Sequence, residues 1–295
     1  MKRLIAVLIL ACTAAPVLAQ VKSLVHKDDK RRYLVYTPPS YEAQPHKAFP
    51  VVFNFHGGGM TMAEQMLYTQ MNRAADRHGF IVVYPAGIKQ DWNVGFGMSY
   101  LEGTDDIGFT RALLARLQQD YRVDPGRVYA TGLSRGGFFA LRIAAELPQL
   151  FAAVASVGGP MPDAVIRHHA QPGKVGVLIM HGSADQVVAY GGKAGDYLSA
   201  QATYDYWLRH NGGAGAPARR RIDADRGDGT EVTWLEQQGV EESRGRHSVA
   251  LATIRDGGHT WPGADPFNVG LPIGKTTRDI DANEAIWDFF SRQRR

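Results

Sequence analysis

Cysteine is nearly absent from this sequence: Cys12 is the only one in 295 residues. A disulfide framework and a thiolate metal site are thereby excluded. Dense runs of one charge are missing too. The longest, Arg219-Arg220-Arg221, reads as a solvated strand end, and a formal net charge of +4 leaves no footprint for a nucleic acid. No apolar stretch reaches the roughly 20 residues needed to span a bilayer. Neither an internal repeat, a low-complexity tract nor a long linker divides the chain. Ligand sets for metals are likewise wanting. Asp223 to Gly229 suggests a calcium loop, but the positions that must carry an acid and a Glu hold Gly227 and Trp234. His168-His169 has no partner at suitable spacing, and Arg226-Gly227-Asp228 reads as a hairpin tip. No metal and no cofactor is therefore expected.

What is present begins with the N-terminus. Met1-Lys2-Arg3 is a positive leader, Leu4 to Leu10 an apolar run, and Val17-Leu18-Ala19 a small-residue cleavage site. This is the pattern of a secretory signal peptide over residues 1–19, so the protein is expected to be secreted or periplasmic, without stable membrane association. Ile9-Leu10-Ala11-Cys12 offers a lipoprotein box as a minor alternative, but Leu10 suits it poorly. Removing 19 residues from 295 leaves 276, without cysteine and with a net charge of +2 once Lys2 and Arg3 are gone. A chain of that length supports a large core without covalent staples.

Residues 20–295 alternate apolar runs with helical patterns. Strands are expected at Tyr33–Tyr36, Pro50–Phe55, Phe80–Tyr84, Arg127–Thr131, Ala152–Val157, Val175–Met180 and Val249–Ile254. Helices are expected over about Ala63–His78, from Thr104-Asp105-Asp106 to about Tyr121 with a hydroxyl cap, over Gly137–Leu147 and over Tyr197–His210. A last helix starts near Asp281 and turns Ile286, Trp287, Phe289 and Phe290 inward. Asp105 and Asp106 are explained by a helix start. Nearly continuous apolar strands joined by helices predict a single α/β domain, its mostly parallel central sheet covered on both faces.

Gly132-Leu133-Ser134-Arg135-Gly136 is a G-x-S-x-G pentapeptide between a strand-like and a helix-like run, the setting of a nucleophile elbow. A serine needs a base, and the base an orienting acid. In the α/β-hydrolase fold these follow in the order acid, then His. Asp185 lies just past the strand ending at Met180, and His259, in Gly257-Gly258-His259-Thr260-Trp261, just past the strand ending at Ile254. The other nine histidines precede the serine or the acid, or follow no strong strand. Asp196, Asp223 and Asp256 are rival acids with poorer placement. His56-Gly57-Gly58-Gly59-Met60 follows an early strand and matches a glycine-rich oxyanion loop. The expected oxyanion donors are the N–H groups of Gly58 and Arg135.

HGGG at His56, WNVG at Trp92, DDIGF at Asp105, VYATGLSRGG, HGSADQVV, GGHTWPG and DANEAIWDFF occur in that order between about Val35 and Phe290. Together they resemble the polyhydroxybutyrate depolymerase and feruloyl esterase family, counted with carbohydrate esterase family one. The resemblance implies a serine carboxylic-ester hydrolase with Ser134, Asp185 and His259 as its triad and Trp261 lining the substrate cleft. Two departures stand out. Arg135 replaces the Asn that many relatives carry, changing the charge at the mouth, and the disulfides of many eukaryotic relatives are missing. Acyl transfer on the same scaffold is an alternative, whereas a silent binding protein is disfavoured by the presence of all four catalytic components. Relatives acting on insoluble polyester often carry a separate adsorption domain, for which no residues remain after Phe290. With Trp92 and Trp261 expected near the cleft, hydroxycinnamate esters or short 3-hydroxybutyrate oligomers are favoured over polymer, and the two remain open.

Overall fold

The apolar runs of this chain carry few polar residues, so strands made from them need cover on both sides. The structure, a computed structural model, describes residues 19–213, 215–239, 247–265 and 270–295. The expected signal segment, Cys12 included, lies outside the described residues except for Ala19. Ten strands are described: β1 (Gln20–His26), β2 (Asp29–Tyr36), β3 (Phe49–Phe55), β4 (Ile81–Pro85), β5 (Val123–Leu133), β6 (Ala153–Val157), β7 (Gly176–Gly182), β8 (Ala218–Ile222), β9 (Glu231–Gln237) and β10 (Val249–Arg255). They form one sheet in the order β1-β2-β4-β3-β5-β6-β7-β10-β9-β8. The six central strands run parallel. The two at each edge are antiparallel.

Side chains alternate between the two faces, and both alternations are buried. Val51, Phe53, Phe55, Val177 and Ile179 join one core with Phe109, Leu113, Phe139 and Ile143. Val52, Val82, Tyr129, Leu178 and Met180 join the other. The helices are α1 (Pro39–Ala43), α2 (Met62–Thr69), α3 (Met71–His78), α4 (Asp106–Asp120), α5 (Arg135–Glu146), α6 (Asp163–His168), α7 (Ala200–His210) and α8 (Ala282–Ser291). The expected mostly parallel sheet with helices on both faces is thus present, while the antiparallel edges are additions. β1 and β9 escaped the sequence, whereas β8 is the solvated strand expected at Arg219-Arg220-Arg221, paired with β9. β8 is Ala-Arg-Arg-Arg-Ile and almost wholly exposed.

Three local expectations are corrected. The helix expected over 63–78 is two helices, α2 and α3, separated by Gln70 at φ 50°. The Thr69 carbonyl accepts from Asn283 Nδ2 at 2.8 Å, and its hydroxyl donates back to the Gln65 carbonyl, so the chain is held at a corner. α4 is capped by Asp105, whose carboxylate accepts from Gly108 N–H, while the Thr104 hydroxyl donates to Asp106. Trp287 is only half-buried and stacks on Phe80. A non-glycine residue in the left-handed region costs about 1 kcal/mol. Gln70→Gly is therefore expected to raise Tm by about 2 °C. A lower Tm by calorimetry would show that the glutamine side chain contributes more than the strain removes.

Candidate active site

The carboxyl ends of β3, β5, β6, β7 and β10 open on one side of the sheet, where ligands meet such folds. β5 ends at Leu133, α5 begins at Arg135, and Ser134 between them has φ 53° and ψ −119°. So sharp a turn is possible because of its neighbours: a Cβ on Gly132 would stand 2.5 Å from the Gly136 carbonyl carbon, and one on Gly136 2.2 Å from the Phe55 carbonyl oxygen. The strained residue is braced by its N–H, which donates to the Val157 carbonyl at 2.7 Å.

Asp185 follows β7 and His259 follows β10, and the fold brings them together. His259 Nδ1 donates to Asp185 Oδ2 at 2.6 Å. A carboxylate only accepts, so Nδ1 carries the proton and the Nε2 of a neutral ring keeps its lone pair. The other oxygen, Oδ1, accepts from the Val187 and Val188 N–H groups at 2.8 Å each. Burial pushes the Asp185 carboxyl up, but hydrogen bonds from His181 and His259, the His259 charge and the Val188 amide outweigh it, holding the group far below the ordinary carboxylate range. His181, set aside as a base, thus touches the acid: its Nε2 lies 3.3 Å from Asp185 Oδ2 and 2.8 Å from the Val188 carbonyl. Gly158 fits behind the imidazole, where a Cβ would press on His259 Cε1 and Nδ1 at 3.0 Å. Sequence reasoning missed both; the signal for each is its place at a strand end.

Ser134, Arg135 and His259 line one cleft of about 1040 Å³ together with the loop 57–60. A Cβ on Gly58 would stand 3.6 Å from that of Arg135, so the two expected donor residues are neighbours. Arg135 is the first residue of α5, and its N–H has no acceptor within the helix. Its guanidinium is not a free charge at the mouth: it pairs with Asp91 at 2.9 Å, donates to the Phe96 carbonyl and lies over the Phe96 ring.

Trp261 does not line the cleft, contrary to expectation. It is fully buried, its N–H donates to Tyr68 Oη at 3.0 Å and its Nε1 to Asn283 Oδ1 at 3.2 Å, so it is a core residue bracing the His259 loop. Trp92 is buried as well, flat against Phe139 and edge-on to Phe55. The aromatics that do line the cleft are Tyr68, Phe96, Phe138 and Tyr197. Phe96, Phe138 and Tyr197 form a wall, with ring centres 5.0, 5.1 and 5.8 Å apart. Among the described residues no three His, Cys, Asp or Glu side chains gather as a metal site, and no helix is long and apolar enough to cross a membrane.

Comparison with known proteins agrees with this architecture. A family model described as "Putative esterase" matches residues 26–261. "Putative esterase NocK" of Nocardia uniformis subsp. tsuyamanensis is 31% identical over 278 residues, covering 88% of this chain and 78% of that protein. "Feruloyl esterase B" of Piromyces equi is 27% identical over 243 residues, and the match spans 78% of this chain but only 42% of the relative. Among solved structures, an acetyl xylan esterase from Aspergillus awamori superposes with a TM-score of 0.63 at 15% identity, over 92% of this chain and 99% of that one. The fold is shared at that distance.

Proposed function

The chain belongs to that esterase family and is a carboxylic ester hydrolase, and from this premise we propose that it acts through an acyl-enzyme on Ser134, with aromatic acyl esters of the hydroxycinnamate class as substrates. Ser134 Oγ attacks the ester carbonyl carbon while His259 Nε2 takes its proton. The carbonyl electron pair moves to the oxygen, held by the Gly58 and Arg135 N–H groups. Collapse expels the alcohol, which receives the proton from His259, and water then repeats the sequence to release the acid. Asp185 keeps the imidazole in the tautomer this requires.

The observation that carries the substrate reading is the wall of Phe96, Phe138 and Tyr197 beside Ser134. Built from three rings inclined to one another at 45° to 83°, it offers a planar cinnamoyl group edge-to-face aromatic contacts that a flexible 3-hydroxybutyrate chain cannot use. The relative named feruloyl esterase B supports the same class. Phe96→Ala is expected to lower kcat/KM for methyl ferulate about tenfold, roughly the contribution of one buried ring contact, with p-nitrophenyl acetate changed less than twofold. Equal losses on both would remove Phe96 from acyl recognition. Faster turnover of a 3-hydroxybutyrate trimer than of methyl ferulate would replace the substrate class, and product appearing on a sugar acceptor would make the enzyme a transferase.

Secretion belongs to the same proposal, supported by the charged, apolar and small-residue order of residues 1–19. A mature chain beginning at Gln20 by mass spectrometry is the expected result.

A further inference from the structure

His56 takes no part in the steps above, yet it is 1% exposed and both ring nitrogens are engaged. Gly87 N–H approaches Nε2 at 2.9 Å. A backbone N–H can only donate, so Nε2 must present a lone pair. The proton of a neutral ring then sits on Nδ1, which donates to the Gly57 carbonyl at 2.8 Å. That carbonyl also accepts from Met60 N–H at 3.1 Å. Burial holds the imidazole below its ordinary pKa, against the opposing pull of the Gly57 carbonyl and of the Asp91, Asp106 and Glu64 carboxylates.

The Gly57 carbonyl and the Gly58 N–H belong to one planar trans peptide and point in opposite directions. Fixing the carbonyl towards His56 therefore fixes the N–H on the other side. Gly58 is exposed there, on the cleft and beside Arg135. Glycines on both sides supply no side chain to hold this peptide against rotation, so the hold must come from its hydrogen bonds. The ring itself cannot swing, because Trp92 packs on it with centroids 4.8 Å apart and donates Nε1–H to the His56 carbonyl at 2.9 Å.

We propose that His56 is a positioning residue for the oxyanion site: its neutral, Nδ1-protonated ring sets the Gly57–Gly58 peptide so that the Gly58 N–H faces the reacting carbonyl. The inference rests on the site reading given above. It assigns a task to the histidine of the HGGG string that neither proton transfer nor substrate contact requires. Gly87, on a different loop, becomes part of the device, since its N–H selects the tautomer.

The test compares His56→Leu with His56→Asn, whose amide can donate to the Gly57 carbonyl but cannot reach Gly87, using p-nitrophenyl acetate. His56→Leu is expected to lower kcat about tenfold to a hundredfold, short of the roughly 10²–10³ lost with an oxyanion donor, with KM within twofold. Affinity for a trifluoromethyl ketone, whose serine adduct carries the same oxyanion, should fall by the same factor. His56→Asn should recover most of both. A folded His56→Leu enzyme with kcat within threefold of the parent overturns the proposal, as does a lost kcat with unchanged ketone affinity or an Asn variant no better than Leu. Histidine ring nitrogen spectra of the unaltered protein decide the matter independently of variant folding: an Nδ1-protonated His56 supports the proposal and an Nε2-protonated one overturns it. Ser134→Ala, run alongside, separates the two readings. If it stays active, the site reading falls and this inference with it; if it is dead while His56→Leu is unimpaired, this inference alone falls.

Discussion

Replacing Ser134 by alanine is expected to lower kcat on p-nitrophenyl acetate by about four orders of magnitude or more, and His259→Ala by a similar amount, the behaviour of residues that work as one unit. Losses of that kind do not add, so the double variant should be no worse than either single one. Ser134 is accessible from the cleft and sits at the N-terminus of α5, where its strained backbone aims the hydroxyl outward. A fluorophosphonate probe should accordingly form one adduct, on Ser134, and none on the alanine variant. Modification of another serine, or retention of more than about a hundredth of the parent activity in Ser134→Ala, would move the nucleophile elsewhere. Substitution should cost little stability, because the Ser134 hydroxyl supports no capping bond for α5.

Asp185→Asn should lower kcat by about three to four orders of magnitude. The amide could present its NH₂ to His259 and select the opposite tautomer, leaving Nε2 protonated and unable to serve as base. The same substitution carries a stability signature whose sign follows from the depressed carboxyl. Its folded pKa lies below the unfolded value near 4, so its ionised form adds stability that is complete above the unfolded value and declines as pH falls from there through the folded one. The Tm difference between parent and Asp185→Asn should therefore be larger at pH 7 than at pH 3. A gap independent of pH would mean that Asp185 is not held ionised by His181 and His259. A silent Asp185→Asn in the activity assay would assign the acid's task to another carboxylate.

Legibility varied along the chain for identifiable reasons. The central strands and the elbow could be read because continuous apolar runs, and a G-x-S-x-G string between a strand-like and a helix-like run, are local properties. β9 and the corner at Gln70 could not. The first is held by pairing with β10, the second by Asn283 reaching across 214 residues to the Thr69 carbonyl. The two tryptophans expected at the cleft show the same limit from another side. Their position in the sequence, beside motifs that reach the active-site edge, says nothing about which way an indole turns. Both turn inward, to partners on α5 and on α8.

By itself the sequence determined a parallel α/β sheet, an esterase's order of motifs, and a serine, a carboxylate and a histidine each just past the end of a strand. The sheet and the three strand ends follow from periodicity and from distances of a few residues, the order of motifs from resemblance to a family. Only the tertiary structure decided that Asp185 and His259, 74 positions apart, share a 2.6 Å hydrogen bond. It also showed that His181 shares the acid, that Phe96, Phe138 and Tyr197 form the wall, and that His56 faces Gly87 from another loop. Each of these depends on directions of side chains and peptides set by close packing between segments, and no local pattern of residue types encodes a direction across the fold.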